Sequence, residues 1–76
     1  MTLRQLQALE PGTHVRPLYS LDEAGWTVFD DRRCTFFGEL RWKTNGHTGR
    51  WRWAAELRTE TGERIFAFPE DMEVVT

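Results

Sequence analysis

Apolar and polar residues alternate most sharply between positions 34 and 58. Cys34, Phe36, Gly38, Leu40 and Trp42 fall on one side of an extended chain, with Thr35, Phe37, Glu39, Arg41 and Lys43 on the other. Trp51, Trp53, Ala55 and Leu57 share a side against Arg50, Arg52, Ala54, Glu56 and Arg58. A period of two predicts strands, and Asn45-Gly46-His47-Thr48 between them is turn chemistry, so a hairpin is expected. Matching the apolar sides sets Trp42 opposite Trp51, Leu40 opposite Trp53, Gly38 opposite Ala55 and Phe36 opposite Leu57; a two-residue shift is the alternative. Gly38 would let the strand bend. A second hairpin turns at Glu60-Thr61-Gly62-Glu63, with Leu57 expected against Phe66 and Ala55 against Phe68.

The flanks are weaker. Thr2 to Leu9 reads as a short helix, with Thr2 and Gln5 at capping-box spacing, Leu3, Leu6 and Leu9 as an apolar stripe, and Pro11-Gly12 as the stop. Two turns cannot stand alone, so this helix must pack on the strands. A first strand over 13–19 precedes a long loop over 20–33, a bent hairpin carrying Trp26, Val28 and Phe29. Pro69 to Met72 predicts one helical turn, and Glu73 to Thr76 a closing strand. The whole predicts a mainly β, five-stranded small barrel: one domain over 1–76, with a helix within 2–10 and the barrel over 13–76.

Composition sharpens this. A chain of 76 residues buries only about 60% of its unfolded surface, so it needs large core side chains. Four Trp, five Phe and one Tyr supply them. Core positions are therefore expected for at least two of Trp42, Trp51 and Trp53, with Trp26 the ring left in solvent. Ten bases against twelve acids make a net charge of −2, which argues against a globally basic nucleic-acid binder. One Cys and two distant His are too few for a disulfide framework or a structural zinc, so neither metal nor cofactor is expected. With no signal peptide and no apolar run of membrane length, a soluble, cytoplasmic, complete small gene product is the expectation.

The order of parts resembles the SH3 domains. Pro17-Leu18-Tyr19-Ser20-Leu21 resembles the Ala-Leu-Tyr-Asp-Tyr segment of that family, and Trp51-Arg52-Trp53-Ala54 its paired tryptophans. Thr61-Gly62-Glu63 resembles the distal turn, and Phe68-Pro69-Glu70-Asp71-Met72 the stretch before the last strand. The tryptophans here are separated, and Leu21 and Met72 stand where the family has groove tyrosines. The resemblance implies an SH3-like barrel with a peptide groove using Tyr19, Trp51, Pro69 and Met72, flanked by Asp22, Glu23, Asp30 and Asp31 to read a basic ligand; Trp26, on the long loop, is expected to join that groove. Ile65-Phe66-Ala67-Phe68-Pro69 is also similar to the strand-plus-proline segment of plasmid-borne type II dihydrofolate reductases, which tetramerise around a pore. Phe66 and Ala67 replace the polar residues that hold folate and cofactor there, which leaves an oligomeric small-molecule-binding barrel open and argues against the enzyme.

Three other features compete with that groove. In the expected register Lys43 lies beside Arg50 and Arg41 beside Arg52, a basic face that could hold phosphate while a ring stacks on a base; a solvated face is the simpler reading. The tryptophans could form an aromatic cage for a cation; core packing is the simpler reading for Trp42, Trp51 and Trp53. Phe37, Ile65 and Ala67, with Ala54, form an outward apolar strip, covered either by the N-terminal helix or by a homodimer contact. Asp30 and Asp31 followed by Arg32 and Arg33 read as a salt-bridged loop, and Cys34 as a buried small hydrophobe. No catalytic constellation can be assembled. The sequence thus favours a non-enzymatic module that recognises a protein or peptide through an aromatic groove, with nucleic-acid binding or an oligomeric small-molecule site as alternatives.

Overall fold

The computed structural model describes residues 1–22 and 24–75; Glu23 and Thr76, named above, lie outside them. Helix α1 (Leu3–Gln7) is short but fully capped. The Gln5 amide donates to the Thr2 hydroxyl at 3.1 Å, and the Thr2 amide to the Gln5 side-chain oxygen at 2.8 Å. Five residues cannot hold a helix unaided, and packing supplies the rest. Leu6 is buried and Leu9 half-buried, while Leu3 stays exposed. The Met1 ammonium donates to the Pro69 carbonyl at 3.0 Å, pinning the start of the chain to its far end.

Seven antiparallel strands follow: β1 (His14–Pro17), β2 (Tyr19–Leu21), β3 (Thr27–Phe29), β4 (Cys34–Thr44), β5 (Trp51–Thr59), β6 (Arg64–Ala67) and, after a 3-10 turn at Pro69–Asp71, β7 (Met72–Val74). Their order across the sheet is β3-β2-β6-β5-β4-β1-β7. The expected five-stranded closed barrel is corrected on both counts. The expected first strand breaks at Leu18, whose amide donates to the Asp71 carbonyl while its carbonyl accepts from the Asp30 amide. Its halves pair on opposite flanks, β1 with β4 and β7, β2 with β6 and β3. One residue joins β1 to β2, although they end the five-strand run β2-β6-β5-β4-β1, so the sheet must curl round on itself. The ladder nevertheless stays open, with β3 and β7 as edges.

Both expected β4–β5 registers occur. Phe36 pairs with Leu57 as the first register requires; Leu40 with Ala55, Trp42 with Trp53 and Thr44 with Trp51 follow the two-residue shift. A bulge between Phe36 and Leu40, containing Gly38 at φ +91°, absorbs the difference. The β5–β6 register is off by one from expectation: Leu57 pairs with Ile65 and Ala55 with Ala67. The turn sets it, since the Thr59 amide donates to the Glu63 carbonyl and the Glu63 amide to the Thr59 hydroxyl. A slip of one residue exchanges the faces of a strand. Ile65 and Ala67, expected outside, therefore join the main core of Leu6, Val15, Cys34, Phe36, Ala55, Leu57 and Met72.

Phe66 and Phe68, expected in that core, instead form a second cluster on the opposite face with Leu21 and Ala54. Lys43 lies 4.0 Å above the Phe66 ring and Arg52 4.6 Å above that of Phe68, with Arg64 5.7 Å from Phe66. The second cluster is roofed by the stems and charges of these cations. β6 is thus covered on both faces, which is why Ile65-Phe66-Ala67-Phe68 runs apolar without alternation.

The loop after β3 is fastened by Asp30, whose buried carboxylate accepts from Arg32 Nε at 2.9 Å, Arg32 Nη2 at 2.7 Å, the Arg32 amide and the Ser20 hydroxyl. This is the salt bridge expected of that loop. The Arg32 guanidinium holds the Asp30 carboxyl below the ordinary carboxylate range, although burial pulls the other way. A carboxyl depressed by folding contributes stability above its unfolded pKa of about 3.9 and loses it as pH falls through the lower folded value. Asp30→Asn should lower stability by about 1–2 kcal/mol near neutrality. The gap to the parent chain should close as pH drops below about 4, read by urea unfolding across pH; a gap constant to pH 2 would refute the assignment.

Candidate functional site

The β4–β5 hairpin outruns the core it helps to build. The face carrying Leu57, Ala55 and Leu40 continues, two residues at a time, to Trp53, Trp42 and Trp51. Alternation placed these rings on the correct face, but the core expectation is corrected: Trp42, Trp51 and Trp53 are 52%, 57% and 44% exposed. Beyond the Leu40–Ala55 pair the strands leave the main cluster, which does not include the indoles. Trp42 and Trp53, directly opposed, meet edge to face with centroids 5.1 Å apart. With Trp51, Leu3, Arg52 and Pro69 they line a cleft of about 220 Å³. The three indoles present roughly 350 Å² of ring surface on a two-strand support.

The cleft holds one charge, and it is satisfied. Arg52 lies between two tryptophans in sequence and forks onto both carboxylate oxygens of Glu70, at 2.7 Å from Nη2 and through a second bond from Nη1. This pairing raises the Arg52 pKa and lowers that of Glu70. It also ties the 3-10 turn to β5, which holds Pro69 against the indoles.

The other expected groove residues are scattered. Tyr19 packs edge-on against Phe29 with centroids 6.2 Å apart. Trp26, exposed as expected, stands at 5.0 Å against His47 in a separate contact between the β2–β3 loop and the β4–β5 turn. Met72 is buried in the main core. Only Trp51 and Pro69 come together. Of the acids expected to flank the groove, Asp30 is buried against Arg32, while Asp22 accepts the Trp26 amide. Trp42, Trp53 and Leu3 were missed because alternation reports which way a side chain points and not how far the core extends.

The basic face differs from expectation by the same register shift. Lys43 opposes Arg52, Arg41 opposes Ala54, and Arg50 lies beyond the ladder, its carbonyl accepting from the Asn45 amide. Arg41 pairs with Glu39 at 3.0 Å and Glu56 at 3.5 Å, and Lys43 and Arg52 are laid on Phe66 and Phe68. Of the outward strip, Phe37 alone stays exposed, in the bulge. Cys34 is buried as expected; burial pushes its thiol up to about 11, which leaves it protonated near neutrality. Among the described residues no three His, Cys, Asp or Glu side chains are placed to share a metal, and no helix is long and apolar enough to cross a membrane. Compared with known proteins, the chain matches no family model, no curated protein and no solved structure.

Proposed function

We propose that this chain is a non-enzymatic binding module that docks an extended, uncharged apolar segment of a partner protein on Trp42, Trp51 and Trp53. The observation that carries the reading is three half-exposed indoles on one face of one hairpin, sharing a cleft with Leu3 and Pro69. Covering roughly 350 Å² of ring surface at about 25 cal/mol per Å² contributes about 9 kcal/mol before the entropic cost of association. Tryptophans on rigid strands are the usual anchors of such contacts. A cleft of about 220 Å³ is below the ~300–1,000 Å³ of small-molecule sites and suits one or two inserted side chains. With Arg52 neutralised by Glu70, nothing in the cleft calls for a charged ligand.

An SH3-like arrangement fits this reading. A hairpin in the first long loop, two tighter hairpins and a 3-10 turn before the last strand support it, with the binding surface moved onto the hairpin arm. Nucleic-acid binding draws less support, since Arg41, Lys43 and Arg52 are each engaged by an acid or a ring.

The test is selection from a random peptide display library, followed by titration of a selected peptide against isotope-labelled protein. The four indole N–H signals make an internal control: those of Trp42, Trp51 and Trp53 should move while that of Trp26 stays. Trp51→Ala should weaken binding at least about tenfold. Shifts centred on Tyr19, Trp26 and Phe29, or failure to select any peptide, would sink the proposal.

A further inference from the structure

The seam between β2 and β6 opens into a cavity larger than the tryptophan cleft. The two strands are in register at one pair, Leu21 with Phe66. Beside that pair lies a slot of about 550 Å³, walled by Leu21, Val28, Ile65 and Phe66. Its volume falls within the ~300–1,000 Å³ of small-molecule sites. Ile65 belongs to the main core and Phe66 to the outer cluster, so the slot runs between the two faces of the sheet. None of the three exposed hairpin tryptophans lines it.

The outer end of this slot is cationic. Arg64 lines it, with its guanidinium 5.7 Å from the centre of the Phe66 ring, and the Lys43 ammonium stands 4.0 Å over the same ring. Both charges are uncommitted: among the described residues no carboxylate pairs with Lys43, and the Arg64 side chain makes no hydrogen bond. Glu56, the acid beside them, lies 3.7 Å from Arg64 and 3.5 Å from Arg41, and its buried Oε1 accepts no hydrogen bond. Lys43 also has Arg52 directly opposite it in the ladder and Arg41 two residues before it on the same face, and like charges so placed repel. The other charged groups of the slot are occupied. Arg32 binds Asp30 and Glu63, and Asp22 accepts the Trp26 amide.

We propose that the slot binds a small amphipathic carboxylate, its head group held by Lys43 and Arg64 above Phe66 and its apolar body laid between Leu21, Val28 and Ile65. Charge and lining select this class. A cationic ligand would be repelled by Lys43 and Arg64, and an uncharged apolar one would leave both unanswered. The planar guanidinium of Arg64 matches a carboxylate through two parallel hydrogen bonds. Val28, exposed on the slot wall, would be covered by the body of the ligand. Binding here and docking on the tryptophan face therefore stand or fall separately.

Octanoate is the probe, titrated at low salt into the isotope-labelled full chain. Amide and methyl signals of Leu21, Val28, Ile65 and Phe66 should shift while the indole signals of Trp42, Trp51 and Trp53 stay, with a dissociation constant on the order of 100 µM. Acetate keeps the head group and loses the body, and 1-octanol keeps the body and loses the charge; each should bind at least about tenfold more weakly. Arg64→Gln and Lys43→Gln should each weaken octanoate at least about fivefold. Val28→Asp, at an exposed wall position, should abolish binding, and circular dichroism should show all three variants folded. Octanol binding as tightly as octanoate, or octanoate indifferent to both cation substitutions, would overturn the proposal. No saturable binding below about 10 mM would do the same, as would shifts centred on the three indoles, which would place the ligand in the tryptophan cleft.

Discussion

Phe68→Ala is expected to destabilise the fold by about 3–5 kcal/mol, the range for emptying a buried phenylalanine site. A domain of this length has about 4–11 kcal/mol in all, so the variant should sit close to unfolding at room temperature. Phe68 is buried against Leu21, Ala54 and Phe66, and its carbonyl accepts the Asp71 amide that forms the 3-10 turn. Its ring is also the platform beneath Arg52, so the truncation removes a cation–π contact and loosens the Arg52–Glu70 fork. Phe37→Ala is the matched control: the same side chain, exposed in the β4 bulge, should change stability by less than about 0.5 kcal/mol. Urea unfolding followed by tryptophan fluorescence reads both. Equal losses would mean that the second cluster on the outer face of β6 does not exist.

That cluster marks where reading the chain without its fold stops working. Local chemistry was legible: the reciprocal Thr2–Gln5 cap, the turn at Asn45, the Asp30–Arg32 bridge and the 3-10 turn at Pro69 all stand where short-range rules place them. The β4–β5 faces were legible too, because one face is dry near the base of the hairpin. The β5–β6 register was not. Ile65-Phe66-Ala67-Phe68 offers an apolar residue to either face, so the hydrophobic pattern fits two registers equally and turn hydrogen bonds decide.

The tryptophan site failed to show for a different reason. A chain of 76 residues needs large rings inside, and that argument applied to composition assigned at least two of Trp42, Trp51 and Trp53 to the core. The core is filled instead by Leu6, Val15, Phe36, Leu57, Ile65 and Met72 and backed by two phenylalanines. The indoles were left over. How far a hairpin projects beyond its core depends on where α1 and the other strands end, which is a property of the assembled fold.

Gly25→Ala and Gly62→Ala should separate backbone strain from steric contact. Both glycines lie in the left-handed region, at φ +89° and +86°, so alanine at either carries the same conformational cost of about 1–2 kcal/mol. A Cβ on Gly62 meets nothing within 4 Å, whereas one on Gly25 would lie 2.5 Å from the Thr44 carbonyl oxygen, a backbone atom that cannot swing aside. Gly25 also accepts the Gly46 amide at 2.7 Å, and the Trp26 ring closes over Gly46, so this is the clasp between the β2–β3 loop and the β4–β5 turn. Gly62→Ala should therefore cost about 1–2 kcal/mol, and Gly25→Ala about 1–3 kcal/mol more, the usual price of overpacking. Urea midpoints at unchanged m-value supply the comparison. Thr44 is the cross-strand neighbour of Trp51, so forcing the clasp open should also disturb the tryptophan face. In Gly25→Ala the Trp51 indole signal should move with that of Trp26, and in Gly62→Ala neither should. Equal destabilisation by the two substitutions would leave the clasp without a role in holding the hairpin arm.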